Sequence, residues 1–275
     1  ASFLRTGALS ALYYADRIAQ LPLGVVGIAI GTALLPLLAR ELRAGNTQSA
    51  MTNQNRALEF GLLFSLPAAV ALWLLADPII RVLFERGHFL PEDTLRTASA
   101  LAAFAVGLPA FVLVKALAPG FFAREDTRTP LYIALAAISA NILLNVYFLF
   151  ATSLELVGIA LASSLSGWLN AALLATVLRR RRQWIPDGRL ISRGLRIAAA
   201  SAGMGVGLWF GLQWLARPLS RPDIEGGAAL AGICMIGIAA YAILGAALGV
   251  VRISELRYVM RRQPGLRSAD PGEQS

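Results

Sequence analysis

Several residue types that build catalytic or metal sites are scarce in this 275-residue chain. It has one cysteine and one histidine, Cys234 and His88, which leaves no intrachain disulfide framework and no cluster for a zinc or haem site. The sequence also lacks an HExxH motif, a Gly-rich phosphate loop, a Ser/His/acid set and a pair of carboxylates within its apolar segments. We therefore do not expect an enzyme, and the sequence predicts no cofactor.

Charged residues are few as well. They make up 15% of the chain, against 57% hydrophobic residues, and the mean hydropathy is +0.63. Soluble domains carry about 25% charged residues, so this composition predicts a membrane protein. Seven apolar segments approach or exceed the ~20 residues of a spanning helix, and they predict an all-α, polytopic membrane helix bundle: Ala8–Leu38, Leu58–Ala76, Leu95–Leu117, Leu131–Ala151, Val157–Leu178, Ile191–Leu215 and Gly226–Val251.

The basic residues lie mostly between these segments. They are 24 arginines and one lysine, Lys115, and the net charge is +9. Their distribution favours contact with membrane lipids over nucleic acid. Seventeen arginines fall in the tail and in the connectors after the first, third and fifth segments, against six on the other side. The positive-inside rule then predicts that the chain starts outside and that its C-terminus is cytoplasmic.

The first apolar segment carries polar side chains on one face. At helical spacing this face consists of an aromatic ring, a cation, an amide and three glycines: Tyr13, Arg17, Gln20, Gly24, Gly27 and Gly31. Asp16 and Arg17 lie about 13 Å into the segment at 1.5 Å per residue. Ionisable groups within a membrane are functional candidates because burying them costs several kcal/mol. We interpret Arg17 as a phosphate-binding guanidinium in a water-filled cavity, with a snorkelling or structurally paired arginine as the alternative.

Prolines and other polar residues predict local features. Pro22 and Pro36 predict a kink or tilt in the first span. Thr129 and Pro130 predict the start of the fourth span, with Thr129 as N-cap and Pro130 in the first turn. Lys115 is expected to snorkel at the cytoplasmic end of the third span.

Two asparagines share a face of the fourth span. Asn141 and Asn145 stand four residues apart, and our first interpretation is hydrogen bonding to a neighbouring helix. A cation site is the second. The fifth span has a similar face of polar and small residues, which predicts helix packing: Ser163, Ser166, Gly167 and Asn170.

Three motifs resemble those of one known family. Ser10–Arg17 reads Ser-Ala-Leu-Tyr-Tyr-Ala-Asp-Arg and is followed by Leu-Pro-Leu-Gly and Leu-Leu-Pro. Phe84–Phe89 looks like an outer-loop F-x-R-G-x-F motif, and Ala118–Pro130 is similar to a cytoplasmic loop. In this order, the motifs closely resemble the MurJ/MviN family of lipid II flippases, over nearly the whole chain.

This resemblance implies an architecture. The family has fourteen helices in two lobes and belongs to the multidrug/oligosaccharidyl-lipid/polysaccharide exporter superfamily, and this chain would be its last seven helices. Residues 1–178 would form five helices of the second lobe. Residues 179–252 would add two C-terminal helices that line a groove for the polyprenyl tail, and 253–275 a basic cytoplasmic tail. The missing N-terminal half of the same protein is an implied partner.

The resemblance also implies a function. It predicts a multi-pass protein of the bacterial cytoplasmic (inner) membrane that moves lipid II, the undecaprenyl-pyrophosphate-linked disaccharide-pentapeptide, outward for peptidoglycan biosynthesis and cell shape. Arg17 falls on the family's cavity arginine, which is thought to bind the pyrophosphate, and Tyr13, Asp16 and Gln20 complete the predicted substrate site.

The resemblance gives no firm metal site, and two other functions stay open. Asn141 and Asn145 are weak sodium candidates, since they fall on the helix that carries a sodium site in some members, where one described ligand is an aspartate at the position of Asn145. One alternative function is a related exporter of drugs or other polysaccharide lipids. The other is a non-transport membrane scaffold of the cell-wall machinery, for which Arg17 would be dispensable.

Overall fold

The computed structural model describes residues 8–152, 154–215, 219 and 223–250, and the predicted tail at 253–275 lies outside them. The described residues form helices and no strand. The helices are α1 (Ala8–Arg43), α2 (Thr47–Leu74), α3 (Ala76–Phe84), α4 (Pro91–Leu117), α5 (Pro119–Phe122), α6 (Arg128–Ala151), α7 (Glu155–Arg180), α8 (Gly188–Trp214) and α9 (Ile224–Ala247). Six are long and apolar enough to span a membrane, and α1 makes a seventh if its two segments count as one span. The predicted helix bundle of about seven spans is confirmed.

Helix α1 is bent, as its prolines predict. Its segments Ser10–Gly24 and Val26–Arg43 meet at 43°. Pro22 stands close to the bend and has no N–H to donate to the carbonyl of Ile18, so the helical hydrogen bonding is interrupted there. The bend separates the N-terminal half of α1 from its C-terminal half. We name these the outer and inner halves, and the matching ends of the bundle the outer and inner ends, after the topology that the arginine distribution predicts.

Helix α4 is the centre of the bundle. Of its most apolar stretch 61% is buried, against 11% for α6 and for α9, and it packs against α1, α2 and α7. Small residues permit this close packing: a Cβ on Gly107 would lie 2.8 Å from the Ser164 Cα of α7. The Ser164 hydroxyl donates to the Ala103 carbonyl oxygen at 2.7 Å across the same contact. Helices α6 and α9 are apolar, and the other described helices leave most of their surface uncovered.

Helices α8 and α9 pack on each other and on α2. Glycines bring these helices together, since a Cβ on Gly205 would lie 2.8 Å from Val70 and one on Gly237 would lie 2.9 Å from Leu208. The Tyr241 hydroxyl donates to the Leu63 carbonyl oxygen at 2.7 Å and joins α9 to α2. The pair is therefore attached to the bundle chiefly through α2.

The predicted N-cap of the fourth span is wrong. Helix α6 begins at Arg128, and it is Asp126 that accepts a hydrogen bond from the Thr129 backbone N–H at 3.0 Å. The Thr129 hydroxyl also donates to Asp126, at 2.7 Å. A carboxylate is the stronger acceptor for a free N–H at a helix start, so Asp126 takes the capping role. Pro130 does lie in the first turn, as predicted.

Candidate functional site

The outer half of α1 has one buried and one exposed side. Ala15 and Ile18 pack into the bundle, whereas Tyr13, Arg17 and Gln20 are exposed. The Arg17 guanidinium carbon lies 4.9 Å from the centre of the Tyr13 ring, which is a cation–π contact. The predicted polar face of α1 is therefore present on its outer half.

A groove runs between α1 and α4. Its volume is about 320 Å³, and its lining combines apolar and polar side chains: Asp16, Ala19, Gln20, Leu23, Gly24, Phe104, Leu108, Phe111 and Lys115. The two helices run in the same direction, since Ala15 packs near Ala100 at one end and Gly27 meets Lys115 at the other. The carboxylate of Asp16 thus lies at the outer end of the groove and the ammonium group of Lys115 at the inner end.

The four predicted substrate residues divide into two pairs. Asp16 and Gln20 line the groove, where the Gln20 amide donates a hydrogen bond to the Asp16 carboxylate. Tyr13 and Arg17 do not line the groove and stand on the neighbouring exposed flank of α1. The Gln20 amide occupies one oxygen of the Asp16 carboxylate, and the Arg17 guanidinium lies against the Tyr13 ring.

The Lys115 side chain is exposed, and its snorkelling stays a prediction. Its side chain turns towards α1, where a Cβ on Gly27 would lie 2.5 Å from its Cδ and 2.9 Å from its Nζ. The glycine at position 27 lets the Lys115 side chain lie here without shifting. One sequence feature could have indicated this position of Lys115, because Gly27 lies on the same face of α1 as Arg17.

A second cavity of about 400 Å³ lies between α4, α6 and α7. Its polar lining includes Asn141, Ser166 and Asn170 together with Lys115. The Asn141 amide donates to the Ser166 hydroxyl at 3.3 Å, which confirms the predicted hydrogen bond between neighbouring helices. The Asn145 amide donates to the Asn141 side-chain oxygen at 2.9 Å. No group of three His, Cys, Asp or Glu residues forms a metal site within the described ranges, and sodium binding by Asn141 and Asn145 stays a prediction.

An aromatic cluster joins the first two sequence motifs at the outer end. The Tyr14 ring of α1 stacks on Phe84 with centroids 4.7 Å apart, and Phe89 lies 6.3 Å from Tyr14. Between these two phenylalanines, Gly87 adopts a φ of 60°, which favours glycine, and the loop turns back on itself. The cluster fixes the outer half of α1, and with it Asp16 and Arg17, to the loop between α3 and α4.

The third motif forms an ordered loop at the inner end. Arg181, just after α7, donates to the Asp126 carboxylate at 2.6 Å and to the Thr129 hydroxyl at 3.0 Å. The Arg124 guanidinium donates to the Gln183 carbonyl oxygen at 3.0 Å. Hydrogen bonds from Thr129 and then from Arg181 lower the pKa of Asp126 to about 2. Sequence reasoning treated this arginine run only as a topology signal, because the partners lie more than fifty residues away.

Comparison with known proteins agrees with the motifs. The family model described as "Lipid II flippase MurJ" matches residues 1–218. This chain belongs to the MurJ lipid II flippase family. The resemblance noted in the sequence is thereby confirmed.

Curated relatives of the family match most of this chain. A probable lipid II flippase MurJ from Rhizobium meliloti (strain 1021) is 46% identical over 260 residues, which cover 94% of this chain and 48% of the relative. The protein of the same description from Vibrio cholerae serotype O1 is 36% identical over 257 residues, again 94% of this chain and 48% of the relative. The chain thus spans about half the length of the curated relatives it matches.

A solved structure has the same fold. The lipid II flippase MurJ in an inward closed conformation superposes with a TM-score of 0.72 at 27% sequence identity. The match covers 94% of this chain and 50% of that structure. The helix order described above is therefore that of half a MurJ transporter.

Proposed function

We propose that this chain is the C-terminal half of a lipid II flippase, which moves the undecaprenyl-pyrophosphate-linked disaccharide-pentapeptide outward across the bacterial cytoplasmic membrane. The observation that carries the proposal is the groove of α1 and α4 in a chain of this family. Asp16, Gln20 and Lys115 line the groove, and Arg17 lies beside it. Membership of a flippase family supports a transporter rather than an enzyme.

The proposed architecture has two lobes and a central cavity. Residues 1–178 supply five spans of the second lobe, residues 179–252 the additional pair, and residues 253–275 the basic tail. The packing of α8 and α9 on α2 supports treating them as an added pair. The helices that this chain does not contain supply the facing lobe, and the exposed flank with Tyr13 and Arg17 is oriented towards it. Membrane lipids surround the bundle, with the C-terminus in the cytoplasm.

Transport follows alternating access, in which the two lobes rock about the central site. The Arg17 guanidinium binds the pyrophosphate through two parallel hydrogen bonds, and its cation–π contact with the Tyr13 ring holds it in place. The membrane potential favours outward movement of an anion by up to about 2.3 kcal/mol per charge per 100 mV, less whatever charge the arginine neutralises.

Complementation tests the proposal. This chain is joined to the first half of the Rhizobium meliloti relative and expressed in cells depleted of their own flippase. The hybrid should restore growth and the appearance of lipid II in the outer leaflet, measured by its accessibility to an externally added enzyme. A hybrid that reaches the membrane at normal levels but leaves lipid II in the inner leaflet would overturn the proposal.

A further inference from the structure

Lys115 lies where two cavities meet. Its side chain lines the groove between α1 and α4 and also the cavity between α4, α6 and α7. Leu23 and Phe111 are the other residues that both cavities share. A group bound at Lys115 therefore has access to either space.

The ammonium group of Lys115 has no partner in the part of the chain that the structure describes. Other basic residues towards the inner end are paired, such as Arg181 with Asp126 and Arg193 with Glu59. Lys115 is exposed although Gly27 lies against its side chain, so its charge faces the cavities. A cation without a counter-charge beside apolar walls attracts an anion more strongly than one in open water.

The charges of the groove are arranged along its length. Asp16 stands eleven residues before Gly27 on α1, which corresponds to about 16 Å at 1.5 Å per residue. Phe104 and Leu108 line the wall between the two ends. Within the groove lining an anion is attracted at the Lys115 end, whereas at the Asp16 end the cation is Arg17 on the neighbouring flank of α1.

The second cavity suits an uncharged polar group. Asn141, Ser166 and Asn170 contribute amides and a hydroxyl, and no lining residue besides Lys115 carries a charge. Amides and hydroxyls both donate and accept hydrogen bonds, as the hydroxyl and amide groups of sugars and peptides do. The two cavities together fit a phosphate that is attached to such a group.

We propose that Lys115 binds a phosphate of the substrate head group at an inner position, before the phosphate reaches Arg17. One sugar or peptide unit of the head group then occupies the cavity lined by Asn141, Ser166 and Asn170. Arg17 and Gly27 are ten residues apart on α1, so the two phosphate positions are separated by about 15 Å. This inference rests on the proposed flippase function and adds to it an inner binding step with its own residue.

Binding of undecaprenyl pyrophosphate tests the role of Lys115. The full-length hybrid is purified into lipid nanodiscs, and its Kd is compared for the wild type, Lys115→Met and Lys115→Arg. Loss of a charge-assisted contact should weaken binding roughly tenfold or more in Lys115→Met. Lys115→Arg keeps the charge and should retain most of the affinity. Arg180→Met removes an exposed charge outside both cavities and should bind as the wild type does.

A second pair of variants keeps every charge. Gly27→Val fills the space that the Lys115 side chain occupies and should weaken binding by displacing the ammonium group. Gly31→Val is the matched control on the same helix, because nothing lies within 4 Å of its Cβ position. Thermal unfolding of both variants is measured in parallel, so that a loss of folding is recognised.

The outcomes separate this inference from the proposed function. If Lys115→Met binds undecaprenyl pyrophosphate as the wild type does while Arg17→Ala loses binding, the inner position is wrong and the flippase function stands. If undecaprenyl alcohol competes as well as the pyrophosphate, binding through phosphate is wrong. If the wild-type hybrid neither binds the pyrophosphate nor complements, the proposed function fails, and the inner position fails with it.

Discussion

The Arg181 guanidinium donates to the Asp126 carboxylate at 2.6 Å and thereby joins the end of α7 to the loop before α6. The same guanidinium reaches the Thr129 hydroxyl at 3.0 Å. The loop of the third motif is held from outside its own sequence, and its order depends on a residue 55 positions away.

Removal of this contact should loosen the loop. In purified protein, Arg181→Ala should increase the rate of trypsin cleavage at Arg124 and Arg128, because Asp126 and Thr129 lose their link to α7. Arg180→Ala, which removes an exposed neighbouring arginine, serves as the control. Equal cleavage rates in the two variants would show that Arg181 does not hold the loop.

The low pKa of Asp126 predicts how the loop responds to acid. The pKa is lowered from an ordinary 3.8 to about 2, so the stabilisation is complete above pH 3.8 and is lost as the pH falls through about 2. Hydrogen–deuterium exchange over residues 124–130, corrected for intrinsic rates, should therefore show constant protection from neutral pH down to pH 4. Asp126→Asn should be less protected than the wild type above pH 3.8 and should lack the acid transition. A wild-type midpoint near 3.8 would contradict the pKa shift.

Arg17 should be required for transport but not for insertion. Arg17→Ala should abolish complementation at normal membrane levels, because removing an intramembrane charge does not make insertion more costly. Arg17→Lys keeps the charge but loses the bidentate geometry, and its transport rate should fall by roughly tenfold or more. Arg128→Ala, at an exposed position at the start of α6, should transport normally. Normal growth of Arg17→Ala would favour the scaffold alternative, and collapse of its membrane level would assign Arg17 a structural role.

Two glycines in spanning helices should respond in opposite ways to the same substitution. Gly107→Ala places a Cβ 2.8 Å from the backbone of Ser164, so α4 and α7 must separate, at a cost of about 1–3 kcal/mol. Gly207→Ala meets nothing within 4 Å and should be neutral or stabilising by up to about 1 kcal/mol, because glycine is the poorer helix former. Thermal unfolding in detergent measures both. A similar melting temperature for the two variants would show that the α4–α7 contact is looser than described.

Cysteine labelling tests the proposed orientation. In a background without Cys234, a cysteine at Leu154 should react with an impermeant reagent added outside intact cells, and one at Arg128 should not. These positions flank α6 at its two ends, and both are exposed. The reverse pattern would invert the topology that the arginine distribution predicts.

The spans could be predicted well from the sequence, because a helix that crosses a bilayer needs a long apolar run and such runs are visible in the sequence. It placed the start of the second span too late, at Leu58 instead of Thr47. Gln54 and Asn55 look like connector residues, but both are buried. Gln54 donates to the Leu117 carbonyl oxygen at 3.4 Å, and Asn55 accepts from the Trp184 indole at 2.7 Å. Such partners 63 and 129 residues away cannot be read from local pattern.

The candidate site was predicted only in part, again because some of its contacts join residues that are far apart in the sequence. One helix was enough to show that Tyr13, Arg17 and Gln20 share a face, since that depends only on helical periodicity. The direction of the Lys115 side chain depends on which helix packs against α4 and on the space that Gly27 leaves. The residue at the junction of the two cavities was therefore missed, although its position near the end of the third span was predicted.

The position of α2 has a mechanical consequence. Helix α2 packs against α1 and α4, which form the groove, and also against α8. In addition, Tyr241 of α9 donates a hydrogen bond to the backbone of α2. A tilt of α2 would therefore displace both its groove partners, α1 and α4, and the pair α8 and α9. The pair α8 and α9 would follow α2 even without the Tyr241 hydrogen bond, because α8 packs directly on α2 and α9 packs on α8.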